Sequence, residues 1–226
     1  MVHMKHSVAL TLIVGTLVLS ACGKKKESVA QNTPAPAVTT QSTTPAPAAE
    51  PSQDDAERAK KLELLDYATM EDQYINDPHA QWASTATASS TFGDDNGAKP
   101  SEVNAASNAI GPVDGKDWTN NHPDIGFDWL QLGFAKPVSA TEVRVVFNNG
   151  EGAEAVSRVE VETADGHWVT VWSGLSDVRI DRRGARTWFV RKFDKTQAPT
   201  KGVKITIANN VQSGYKVVDA VQLVGE

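Results

Sequence analysis

A single cysteine in 226 residues, Cys22, leaves this chain with no internal disulfide and no thiolate cluster for a structural metal. Catalytic signatures are missing as well. There is no Gly-x-Ser-x-Gly, no His-Glu-x-x-His and no phosphate-cradling glycine loop, and His79, His122 and His167 stand far apart in unrelated settings. These absences point to a protein that is not an enzyme. Positive charge is in deficit, with 22 Lys and Arg against 28 Asp and Glu and a formal net charge of -6. That excludes a nucleic-acid partner, whose affinity rests on neutralised phosphates. No solenoid period or coiled-coil heptad runs through the chain. The one apolar run, Val8 to Leu19, is shorter than the roughly 20 residues a membrane span needs.

That short run organises the rest. Lys5 and His6 precede it, and Leu19, Ser20, Ala21 and Cys22 close it in the manner of a processing site, with Lys24, Lys25 and Lys26 directly behind. Met4 serves as a start as well as Met1 does. The segment resembles a bacterial lipoprotein signal, 1–21, in which Cys22 is lipidated and becomes the mature N-terminus. The resemblance implies a membrane partner reached through a lipid anchor and a place in the bacterial envelope. Gly23 after the cysteine favours the outer membrane. Lys5 is the only charged residue of the signal, so the mature chain is more acidic still.

Residues 22–53 then read as the lipidated cysteine and a linker. Asn32 to Ser52 is dominated by Pro, Ala, Thr and Gln and has too little apolar surface to offset backbone ordering. At about 3.1 Å per residue such a linker reaches roughly 90 Å. A helix is expected over 54–74. Ser52-Gln-Asp-Asp55 has the form of a capping box, and Asn76-Asp77-Pro78 ends the pattern. Leu62, Leu65 and Thr69, with Leu64 and Ala68 beside them, form a modest apolar stripe that either packs on the following domain or pairs with another protein.

From Gln81 the period falls to two. Trp82 to Thr91 is extended and Phe92 to Asp128 irregular. Alternating runs follow at Trp129–Phe134, Thr141–Asn148, Ser157–Thr163, His167–Trp172, Thr187–Phe193, Val203–Ala208 and Val217–Val224. Asp165-Gly166 predicts a type I′ hairpin turn. Seven or eight short strands with turns between them make 75–226 an all-β sandwich.

The same residues carry a family resemblance. Trp82 to Gly93, Asn108 to Gly115, Trp129 to Phe134, the hairpin Val159 to Trp168, Arg186 to Arg191 and Asp219 to Gly225 resemble, in order, the signatures of discoidin-like domains (coagulation factor 5/8 type C, galactose-binding-like). The resemblance implies an eight-stranded jelly roll that binds glycans, lipids or proteins through loops at one end and is rarely catalytic. It also implies a structural calcium beside Asp114-Gly115, held by Asp114 and Asp117 and loop carbonyls. This chain departs from that pattern, with Asp-Gly-Lys-Asp-Trp-Thr compressed from the usual spacing and Ala220 where relatives carry a glutamate.

Sugar recognition needs an aromatic face ringed by hydrogen-bonding side chains. Trp118, Asn120, Asn121 and His122 offer these in one short run, and Asn149, Asn210 and Tyr215 add to them from two later loops. Trp118 equally suits the core. Arg179, Arg182, Arg183 and Arg186 make a basic cluster, either an anion site or a solvated loop paired with Asp177 and Asp181. Two functions fit: a non-catalytic outer-membrane lipoprotein whose sandwich binds a carbohydrate or other envelope ligand, or a scaffold docking an envelope protein through the sandwich and the 54–73 helix.

Overall fold

The structure, a computed structural model, describes residues 52–94 and 102–226. The expected leader, Cys22 and nearly all of the linker lie outside the described residues. Among the described residues no helix is long and apolar enough to cross a membrane.

Among the described residues the single α-helix, α1, runs Gln53–Ile75. Ser52 caps it, its Oγ accepting from Asp55 N–H at 3.2 Å and donating to the Asp55 carboxylate at 2.7 Å. Asp54 and Asp55 in the first turn complement the helix dipole. Asn76 closes the helix with its N–H on the Asp72 carbonyl.

Ten strands follow: β1 (Ala80–Trp82), β2 (Thr85–Ala88), β3 (Trp118–Thr119), β4 (Phe127–Val138), β5 (Ala140–Asn148), β6 (Val156–Thr163), β7 (Trp168–Ser173), β8 (Arg186–Lys192), β9 (Thr200–Ala208) and β10 (Val217–Gly225). They form two five-stranded antiparallel sheets. Sheet I has the order β1-β10-β5-β8, with β3 also against the start of β10, and sheet II the order β2-β4-β9-β6-β7. The expected all-β sandwich is what the chain builds. Leu130 and Leu132 of β4, Val143, Val145 and Phe147 of β5, Phe189 of β8, Ile205 and Ile207 of β9 and Leu223 of β10 fill the space between the sheets. Their alternation along each strand is the period-two pattern of the sequence. The turn after β6 differs from expectation. Type I′ needs positive φ at both central residues, and only Gly166 has it (φ 89°). Gly166 N–H closes the turn on the Thr163 carbonyl instead.

Sheet I is buried on both faces because α1 covers its outer side. Val146, Trp188 and Ala220 point outward there and meet Met70, Tyr74 and Ile75 of the helix. The Tyr74 and Trp188 ring centroids are 5.1 Å apart, and Trp82 continues the contact. Glu71 Oε1 accepts from Arg186 Nη1 (3.2 Å) and Trp188 Nε1 (3.3 Å). At the end of the helix, buried Arg144 bonds Glu142, Asp77 and Gln222, with its guanidinium 4.4 Å above the Tyr74 ring.

This contact corrects the expected helix stripe. Leu62 and Leu65 are 51% and 60% exposed, and the packed residues are Tyr67, Met70, Tyr74 and Ile75, one to three turns further on. Tyr67 is the helix's one buried residue. Its hydroxyl donates to the Arg186 carbonyl at 2.9 Å, and its phenol is pushed up to about 12, by burial first and by Glu71 second. A phenol held neutral in this way stabilises the docked helix fully below its ordinary value of about 10, and that stabilisation is lost as pH rises toward the folded value.

Gly184 makes room for that ring. A Cβ there would sit 2.1 Å from Tyr67 Cε1. Gly184→Ala is therefore expected to displace Tyr67 and to cost about 1–3 kcal/mol. A thermal melt matching that of the parent chain would contradict this fit.

Candidate functional site

The five connections at the β3 end of the sandwich, around 89–94, 120–126, 149–155, 174–185 and 209–216, converge on one rim. Backbone and side-chain bonds lace them together. Phe92 N–H donates to the Thr119 carbonyl, Asn209 N–H to the Gly126 carbonyl and Val217 N–H to the Glu151 carbonyl. Gly214 N–H donates to Asp124, and Gln212 ties the 150–154 turn through Gly152 N–H and the Gly150 carbonyl.

Beneath the rim lies a buried polar knot centred on Asp128, an inward-facing residue of β4. Its Oδ1 accepts from Ser89 and Ser90 hydroxyls, both at 2.7 Å, and its Oδ2 from Asn120 Nδ2 (3.0 Å) and Asn209 Nδ2 (2.8 Å). Burial alone would push this carboxyl up. The four donors outweigh it and hold Asp128 below the usual carboxylate range. Asn120 passes the bonding on, accepting from Lys216 N–H at 2.8 Å. The Lys216 side chain is fully buried, and its ammonium donates to the Pro123 carbonyl at 2.6 Å and to the Gly214 carbonyl. Burial pulls its pKa down, against the opposing pull of Asp124, Asp128 and Glu151.

The expected ligand residues divide at this knot. Trp118 is fully buried and its indole N–H donates to the Ser90 carbonyl at 2.9 Å, so it plugs the barrel end and offers no face to a ligand. Asn120 is likewise buried, its amide spent on His122, Asp128 and Asn209. The others stay at the surface. Asn121, half-buried, accepts from Gly93 N–H, while His122 and Asn210 are exposed on neighbouring loops. Asn149 is exposed at φ 50° in the next turn along. Tyr215 is 38% exposed and meets Phe92, 39% exposed, edge to face at 4.9 Å. Phe92, Asp128, Asn209 and Lys216 were not among the expected site residues. They come from three separate stretches of chain, and no motif links them.

Asp114 and Asp117 do not fit a calcium ion. A hard cation needs a cage of oxygens. Asp114 gives both carboxylate oxygens to Lys116, through its N–H and its ammonium at 2.8 Å. Asp117 accepts from Asn148 Nδ2 at 2.6 Å, and burial first, then Asp219, Asp114 and Glu151, push its pKa up. The 114–115 turn aims N–H groups at Asp219, not carbonyls at a metal, and Arg186 Nε supplies the positive partner at 3.3 Å. Among the described residues no three His, Cys, Asp or Glu side chains converge as a metal site. Chelation with EDTA is accordingly expected to leave the melting temperature within a degree or so of its starting value, and a fall of several degrees would contradict this.

The basic cluster is dispersed too. Arg179 pairs with Glu154, Arg183 with Asp181, and Arg186 with Glu71 and Asp219, while Asp177 goes to Arg191. A cleft of about 400 Å³ beside the Asp114 turn is lined mainly by Glu102, Asn104, Asn108, Lys116 and Asp117.

Fold and rim together define a jelly-roll sandwich with a rigid loop end, an architecture that presents surface residues from fixed positions. Among solved structures the chain is similar to the F5/8 type C domain of a Bacteroides fragilis protein (16% identity, TM-score 0.49, 66% of this chain and 98% of that one). It is also similar to chitosan-binding module 1 of a chitosanase/glucanase from Paenibacillus sp. IK-5 (17% identity, TM-score 0.46, 62% and 94%). A third is the family 32 carbohydrate-binding module of Clostridium perfringens NanJ in complex with galactose (18% identity, TM-score 0.43, 66% and 96%). No family model and no curated protein matches the sequence. The sandwich is defined by its own sheet order and register.

Proposed function

We propose that the protein is a non-catalytic lipoprotein of the bacterial outer membrane, anchored through Cys22, whose jelly-roll domain binds carbohydrate at the loop rim. One observation carries the reading. The exposed Phe92–Tyr215 pair stands on a rim whose loops are locked by the Asp128 knot, beside Asn121, His122 and Asn210. An aromatic face with carboxamide and imidazole neighbours, on loops tied by hydrogen bonds, is what sugar C–H faces and hydroxyls require.

The scaffolding alternative keeps one surface, the exposed Leu62, Leu64 and Leu65 of α1, while Met70, Tyr74 and Ile75 are taken up by sheet I. A glycan array probed with residues 23–226, the mature chain without its lipidated cysteine, tests the reading, with galactose and chitosan fragments, the ligands named for two of the similar modules, among the probes. Binding that Tyr215→Ala reduces at least tenfold is expected. A silent array, with a protein captured in its place, would overturn it. Replacing Cys22 with Ala is expected to remove the protein from the lipidated membrane fraction, and unchanged metabolic labelling with palmitate would contradict the anchor.

A further inference from the structure

Among the described residues no helix covers the outer face of sheet II, in contrast to sheet I, and that face carries aromatics. Asp128, Leu130 and Leu132 of β4 point into the sandwich, so Phe127, Trp129 and Gln131 stand on the outside. Phe127 is 69% exposed. Trp129 is partly exposed one step along the strand, roughly 7 Å away by strand geometry. Polar side chains border this strip on both sides. Thr87 of β2 lies opposite Gln131, and on β9 Thr206 lies opposite Trp129 and Lys204 opposite Gln131. The Lys204 ammonium is 5.1 Å from the Trp129 ring centroid.

The strip is also continuous with the rim. β4 begins where the 120–126 loop ends, and exposed Ile125 stands between His122 and Phe127. A large exposed phenylalanine beside a tryptophan, one residue wide and edged by hydroxyl, carboxamide and ammonium groups, has the chemistry of a sugar track. A protein interface would be a broader apolar patch.

We propose that the rim site continues along β4, so that the ligand is a linear oligosaccharide lying across Phe127 and Trp129 and not a single terminal sugar. This rests on the carbohydrate reading above. The track gives each added sugar a C–H face to stack and donors or acceptors on either flank. Affinity then grows with chain length, by about tenfold for two aromatic contacts.

The test is calorimetric titration of the mature chain with chito-, cello- and galacto-oligosaccharides, from mono- to hexasaccharide. The expected result is a rise in affinity with length that Phe127→Ala removes, leaving the shortest binding sugars unaffected, while Tyr215→Ala weakens every length. Phe127 is exposed and supports no core contact, so its variant keeps the fold; a matching far-ultraviolet spectrum and melt establish that. A hexasaccharide held as tightly by Phe127→Ala as by the parent, with Tyr215→Ala impaired, overturns the track and leaves the rim standing. Affinity independent of length does the same. Failure of every sugar to bind overturns both.

Discussion

Removing α1 is expected to strip the domain of much of its stability. A fragment beginning at residue 77 should melt on the order of 15 °C below one beginning at residue 52, or fail to stay soluble. The reason lies in what the helix covers. Trp188, Val146 and Ala220 face outward on sheet I and are covered by Met70, Tyr74 and Ile75 of the helix, with Trp82, Val113 and Val190 beside them and Tyr67 inserted beside Gly184. Burying an aromatic side chain of this size is worth about 3 kcal/mol, and a domain of this length loses roughly 2–4 °C per kcal/mol. The cut also leaves Arg186 without Glu71 and exposes a tryptophan face that should bind a hydrophobic dye. Point substitutions separate packing from mere presence of the helix. Tyr74→Ala should account for a large share of the loss, because its ring lies between Trp188 and Arg144, whereas Leu65→Ala on the exposed side should cost almost nothing. Equal melts for the two fragments would show that the helix is a passenger.

Asp128→Ala is the second large effect expected. The carboxylate takes four hydrogen bonds and is nearly inaccessible to water, so its loss leaves two hydroxyls and two carboxamides short of a partner. A cost of about 3–5 kcal/mol follows, or roughly 10 °C in the melt. Loops 89–94, 120–126 and 209–216 should loosen together, visible as faster amide exchange confined to the rim. Acid should act on the same group. The folded carboxyl titrates below its ordinary value, so the stabilisation is complete above about pH 3.9 and is lost as pH falls through the lower folded value. Asp128→Ala should flatten that acid limb of the stability profile. A variant as stable as the parent, with an unchanged acid limb, would mean the knot does not hold the rim.

The strands were legible because their signal is local. Leu130 and Leu132, or Val143 and Val145, alternate within a few residues, and period two is written directly into the chain. The Ser52 cap was equally local, three residues from its partner. The helix face was not. Leu62 and Leu65 make a better apolar stripe by composition than Tyr67, Met70 and Tyr74, yet the sheet selects the tyrosines because their hydroxyls and rings also meet Arg186, Arg144 and Trp188. Such partners lie more than sixty residues away. Part of the rim was legible, since Asn121, His122 and Tyr215 sit in loops rich in turn formers. Trp118 and Asn120 belong to the same run but face inward, and the inward set needs Ser89, Asp128, Asn209 and Lys216 to be seen at all. Only the fold joins those stretches. Within the compressed Asp114 to Thr119 spacing, Lys116 stands where it neutralises Asp114.

The most direct test of the rim is residue-resolved nuclear magnetic resonance of the mature chain, titrated with a sugar identified on the array. Shifts concentrated in 89–94, 120–126 and 209–216, led by Phe92, His122 and Tyr215, are the predicted result. Shifts centred on the exposed Leu62–Leu65 side of α1, or on the cleft at Glu102 and Lys116, would contradict it.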